Sequence, residues 1–167
     1  TDVSNYLSYE TGQPTHCYDA NTMNGKLLFH EIEKNEEFET LLDKKITLTD
    51  KNSVFSINDN IINLAGIVGG KSTSCSTNTK TVIVECAFFK PEAIIGKSVK
   101  YDIQSEASHK FERGVDPECH EKVLRRFIKL IGEHTNIKEM SIISYKSKDN
   151  PIHQLPVNVQ KINQIIG

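Results

Sequence analysis

Apolar residues recur along this chain with two spacings, about two and about 3.6 residues, and turn-forming residues mark the switches between them. Residues 2–10 suit a short helix, with Thr1 or Asp2 as N-cap and Gly12 closing it. Gln13-Pro14 then forces an extended exit, because the residue before a proline avoids the helical region. Strands are predicted over 27–32, 45–49 and 54–57, and Asp59-Asn60 turns the chain into another over 61–65. Residues 81–89 are rich in β-branched and aromatic types and predict a buried strand. Pro91-Glu92-Ala93 reads as the first turn of a short helix that stops at Gly96.

The clearest helical signal starts at Asp116, a good N-cap, with Pro117 at the first helical position and Glu118 at the positive helix end. Val123, Leu124, Phe127, Leu130 and Ile131 then form one apolar stripe. Residues 141–145 return to strand spacing. Strands dominate and helices flank them, so the predicted class is α+β, a mixed β-sheet domain with a few flanking helices. From about Asn150 the character changes: Asn150-Pro151 and Pro156 punctuate a linker, and 157–167 begins an apolar pattern that is cut off. The expected organisation is one domain over 1–149, followed over 150–167 by a linker and the truncated start of a next module. The chain thus reads as a segment of a longer polypeptide.

Composition narrows the function classes. With 37% hydrophobic and 25% charged residues the chain is globular rather than disordered. No apolar run approaches the ~18 residues of a membrane span, and the first residues lack a signal-peptide pattern, so a cytoplasmic location without membrane contact is expected. The net charge of −2 argues against strong RNA binding by this segment alone, since phosphate neutralisation supplies most non-specific affinity. Cys17, Cys75, Cys86 and Cys119 are scattered, with no Cys-x-x-Cys pair, and read as ordinary thiols; no metal site is expected.

Candidate chemistry gathers in four places. His16 follows a proline turn and, with a pKa near neutrality, could orient water or exchange a proton; a purely structural histidine is the other reading. Gly66, Gly69 and Gly70 allow either a sharp sheet corner or a backbone that approaches a ligand closely. They lack the spacing of a phosphate loop or a dinucleotide fingerprint. Glu85 interrupts an apolar strand, on the same face as Ile83 and Ala87, so either that face is solvated or the carboxylate reaches into a pocket. Within 105–117, Arg113 is expected to brace the loop by pairing with a carboxylate or carbonyl groups, and Asp116 to act as a helix cap. No Ser-His-Asp order or close carboxylate pair is evident.

Together these segments resemble the bacterial-type phenylalanyl-tRNA synthetase beta subunit. The resemblance rests on Asp2-Val3-Ser4-Asn5-Tyr6, Gly12-Gln13-Pro14-Thr15-His16, Leu64-Ala65-Gly66-Ile67-Val68-Gly69-Gly70 and Phe111-Glu112-Arg113-Gly114-Val115-Asp116-Pro117, in that order and spacing. It covers roughly the first 145 residues. It implies the central editing domain, a fragment of phenylalanine-tRNA ligase that hydrolyses the ester of tyrosine mischarged on phenylalanine tRNA. Aminoacylation would lie in the alpha subunit, within a heterotetramer of two alpha and two beta subunits. The resemblance also implies no cofactor in this segment, with ATP and magnesium used by the whole enzyme. Carried over by position, Glu85 would accept the tyrosine phenol, helped by backbone at Gly66. His16 and Asn5 are the catalytic candidates, with Ser4 beside them near the scissile ester and terminal adenosine. Ser105 and Ala107 would form the pocket wall. Ser4 and Ser105 stand where relatives often carry threonine, and Glu106 where aspartate is common. The alternative is a structural or interaction domain of the same subunit whose pocket is non-catalytic; a stand-alone aminoacyl-ester hydrolase is a third reading.

Overall fold

The computed structural model describes residues 2–146 and 154–167, which fall into two compact units, Thr1–Asn136 and Ile137–Gly167. In chain order the first unit runs α1 (Asp2–Thr11), β1 (His16–Asp19), a 3₁₀ turn, β2 (Leu27–Ile32), β3 (Glu36–Glu39), β4 (Lys45–Leu48), β5 (Asn52–Ile57), β6 (Asn60–Leu64) and β7 (Val68–Gly69). A second 3₁₀ turn leads to β8 (Val82–Glu85), α2 (Pro91–Ile94), α3 (Lys97–Tyr101), α4 (Glu106–Arg113) and α5 (His120–His134). The strands make a four-stranded sheet, β2-β5-β6-β7, and two ribbons, β1-β8 and β3-β4. The α+β class holds, and every strand pairing among the described residues is antiparallel.

The turn chemistry read from the sequence operates where it fixes the site. Gly12 closes α1 at φ +78, with its N–H on Ser8 O. Gln13, almost fully buried, donates through Nε2 to Pro14 O and to Ala87 O at 2.8 Å. A buried amide is tolerated because its polar atoms are bonded, and here it ties the start of β1 to the end of β8. The main core gathers Leu48, Val54 and Leu64 of the sheets with Ile94, Ile103, Phe89 and Phe111. Phe89 and Phe111 meet edge to face, 5.0 Å apart, which seats α4 against the segment leaving β8.

Several elements depart from the sequence reading. The buried strand expected over 81–89 is only Val82–Glu85, and Val82 and Ile83 are exposed. Its partner β1 was not foreseen. α5 begins at His120, not at Asp116: the Asp116 carboxylate instead accepts from Glu118 N at 2.9 Å and closes a separate turn. Of the expected stripe, Val123 and Phe127 are buried, and Leu124, Leu130 and Ile131 are half-buried. The region around 105–113, read as a loop, is the helix α4; Arg113 bonds a carbonyl as expected, but that of His109 one turn back in the helix, so it does not brace a loop.

Within Ile137–Gly167, residues 141–145 form no strand. α6 (Val159–Ile166) is capped by Asn158, whose side chain accepts from Lys161 N, and its apolar side chains are exposed. The boundary expected at 149/150 and the Asn150-Pro151 punctuation lie outside the described residues.

Candidate functional site

β1 and β8 set the site's register. His16 stands opposite Glu85 and Tyr18 opposite Ile83, so His16, Tyr18 and Glu85 share one face of the ribbon. That face borders a cavity of about 70 Å³. On the measure by which one water needs ~10–15 Å³, it has room for more than one water. It is lined by Pro14, Thr15 and His16 at the start of β1, by Glu85 of β8 and Asn63 of β6, by Gly66 to Gly69, and by Ala107 with Phe111 of α4. Glu85 therefore faces a pocket, which resolves the choice that strand alternation left open.

The glycines carry two separate demands. Gly66 turns the chain between β6 and β7 at φ +71, and a Cβ there would lie 2.7 Å from Ile94 Cδ1. Gly69 is a matter of space: a Cβ would lie 2.3 Å from His16 Cε1, so the imidazole rests directly on this backbone. The cluster is thus both a sheet corner and a wall. Its amides at Ile67 and Gly70 are committed to the turn, donating to Leu64 O and Ile62 O.

Electrostatics separates the two titratable side chains. Burial pushes His16 down to about 4, so its imidazole is neutral at pH 7 rather than poised near neutrality as the sequence suggested. Its ring meets Tyr18 edge to face at 4.4 Å, and its Nε2 is buried without a hydrogen-bond partner among the described residues. Thr15 Oγ1 is in the same condition beside it. Two unsatisfied polar atoms at one cavity are costly unless a ligand or water bonds them. Burial pushes Glu85 up to about 7, against the opposing pull of a hydrogen bond from Tyr18 OH to Oε2. Tyr18 in turn accepts from Asn63 Nδ2 at 2.8 Å, and burial beside Glu85 holds its own hydroxyl firmly protonated.

The cavity brings together His16, Glu85, Gly66 and Ala107 of the expected site residues. Ser105 does not line it: the hydroxyl accepts from Ser108 N, capping α4, and donates to Ile67 O at 2.6 Å, so it anchors the wall from behind. Ser4 and Asn5 also lie outside the lining. Ser4 Oγ sits 3.3 Å from Cys17 Sγ, and Asn5 is exposed on α1. Tyr18, Asn63 and Thr15 were missed. Tyr18 was readable as the residue two after His16, on the same strand face, had β1 been recognised. Asn63 was readable as Glu85 was, as a polar residue inside an apolar strand.

The arrangement offers a neutral imidazole and a carboxyl group pushed up to about 7, both bordering one water-sized cavity. It contains no activated nucleophile. All four cysteines are free thiols, and burial pushes Cys86 up to about 12. Among the described residues no group of three or more His, Cys, Asp or Glu could hold a metal ion.

Comparisons with known proteins converge on one family. The family model described as B3/4 domain matches residues 1–136, the extent of the first compact unit. The chain is 34% identical to the phenylalanine–tRNA ligase beta subunit of Francisella tularensis and 35% identical to that of Photorhabdus laumondii; each match covers 99% of this chain and 21% of the relative. The corresponding subunit of Neisseria gonorrhoeae is 30% identical over the same shares. The chain therefore spans about a fifth of the length of the curated relatives it matches. With its first 136 residues matched and its pocket built inside that match, the chain belongs to the B3/4 domain family.

Proposed function

We propose that this domain edits aminoacyl-tRNA, hydrolysing the ester of tyrosine wrongly attached to phenylalanine tRNA, as part of a phenylalanine–tRNA ligase beta subunit. The observation that carries the reading is the placement of Glu85 and His16 side by side on one wall of a small cavity, a phenol acceptor beside a neutral imidazole. The partners would be the mischarged tRNA and an alpha subunit that performs aminoacylation with ATP and magnesium, in the cytoplasm. A net charge of −2 is consistent with RNA delivery by other parts of the assembly.

Physical chemistry explains why a second site is needed. An apolar pocket shaped for phenylalanine rejects an added hydroxyl by only about a hundredfold. A site that hydrogen-bonds the hydroxyl excludes the analogue lacking it by about 10⁴–10⁵. Tyr18 takes one oxygen of Glu85, which leaves the other for a substrate phenol. That charge-assisted bond contributes about 1.5–3 kcal/mol, and phenylalanine would instead press a ring edge against a desolvated carboxylate.

The hydrolytic step needs a positioned water more than a strong base. At about 4 the pKa of His16 makes it a weak proton acceptor, so its role is to orient water or ribose through Nε2, with Thr15 Oγ1 alongside. Gly69, which has no side chain, lets the ring pack against its backbone. Asn5 and Ser4 belong to this reading only if bound tRNA reaches α1, outside the cavity lining.

Ala107 tests the reading by occlusion. It lines the cavity on α4, so Ala107→Trp should fill the space and abolish deacylation of tyrosyl-tRNA by the full-length enzyme, while aminoacylation continues. Normal clearance of tyrosine by that variant would remove this cavity as the site of hydrolysis.

A further inference from the structure

Glu85 is the accepting end of a directed hydrogen-bond chain made by the protein's own side chains. Asn63 Nδ2 donates to the Tyr18 phenol oxygen at 2.8 Å, and the Tyr18 hydroxyl donates to Glu85 Oε2. Direction is fixed at its far end, because an amide nitrogen can only donate. The phenol is left to donate onward, and the carboxyl is left to accept. Tyr18 is 1% exposed and Asn63 4%, and the His16 ring packs edge to face on Tyr18, so the phenol has little freedom to turn away.

We propose that Tyr18 is a positioning residue for specificity: through its bond from the Asn63 side it holds Glu85 as an ionised acceptor with one oxygen presented to the cavity. This rests on the editing reading and deepens it. A carboxyl at a half-buried site could serve a tyrosine phenol in either protonation state, but only the ionised one penalises phenylalanine by desolvation. An internal phenol donating to one oxygen favours the charged form. It also leaves the second oxygen as the specificity contact.

The groups facing Glu85 are few. From β1 come Tyr18 and His16, the latter neutral at working pH, and Cys86 follows just after β8 with its thiol protonated. From β6 comes only the uncharged Asn63, and from α4 only Ala107 and Phe111. Among the described residues no Lys or Arg lines the cavity, so Tyr18 supplies the opposing pull that burial must overcome.

The test compares wild type, Tyr18→Phe and Asn63→Leu in the full-length enzyme. Deacylation of tyrosyl- and phenylalanyl-tRNA is followed from pH 6 to 9, and the Glu85 carboxyl carbon is titrated by NMR in the same proteins. Tyr18→Phe should move the pH midpoint of tyrosine preference upward and restore the preference at alkaline pH. If loss of the bond raises the Glu85 pKa by one unit, the preference at pH 7 falls about fivefold. Asn63→Leu should shift it the same way by less. Unchanged midpoints in both variants overturn the proposal, as does loss of preference at every pH in both. A wild-type enzyme that leaves tyrosyl-tRNA intact would sink the editing reading instead. The Glu85 NMR titration would then still decide whether Tyr18 holds the carboxylate.

Discussion

Glu85 shows how one residue links stability to function. Its carboxyl is pushed up to about 7 by burial, so between its unfolded value near 4.5 and about 7 the native state holds a proton that the unfolded chain has released. The sign follows from this. Glu85 costs the fold nothing extra below pH 4.5, and its penalty grows as pH rises through 7. Glu85→Gln should therefore unfold at higher denaturant than wild type at pH 8, by on the order of 2 kcal/mol, and the gap should close toward pH 5. Denaturant midpoints at the two pH values check this, and a gap independent of pH would mean that Glu85 is not desolvated. A residue that lowers stability at working pH is the kind of cost that functional sites carry.

At the scale of elements, the site is made where short segments meet, and this decided what could be read in advance. α1 and β2 lie almost residue for residue where the sequence placed a helix and a strand. β1 did not, because His16-Cys17-Tyr18-Asp19 is four residues with one apolar aromatic, and its strand form comes from pairing with β8 rather than from propensity. The Asp116-Pro117 signal was chemically right but local: its carboxylate closes a turn, and the helix waits until His120. Glu85 was recognisable as a misfit in an apolar strand, whereas the partner that completes it, Tyr18, lies 67 positions away in sequence. Ser105 gives a prediction at this scale, because its hydroxyl caps α4 and bonds Ile67 O, joining helix and wall. Ser105→Ala should cost about 1–2 kcal/mol by thermal or denaturant unfolding. Ser105→Thr keeps both bonds and should restore the loss; if it does not, the cap is not what holds the wall.

At the scale of the molecule, a B3/4 domain fills the first 136 residues, and the chain spans about a fifth of its curated relatives. No helix among the described residues is long and apolar enough to cross a membrane. The family was legible from four motif strings, since their glycines and prolines sit at turns the fold requires. The division of labour inside the pocket was not legible, because it depends on burial: it takes a histidine expected near neutrality down to about 4 and a glutamate up to about 7. The central claim is that Glu85 reads the phenol hydroxyl, and one ratio tests it. Deacylation of tyrosyl-tRNA relative to phenylalanyl-tRNA should be measured at pH 8 for the full-length enzyme and for Glu85→Gln. A strong tyrosine preference is expected in the wild type, falling by at least about tenfold in the variant, the equivalent of losing a charge-assisted hydrogen bond. An unaltered preference in Glu85→Gln would contradict it.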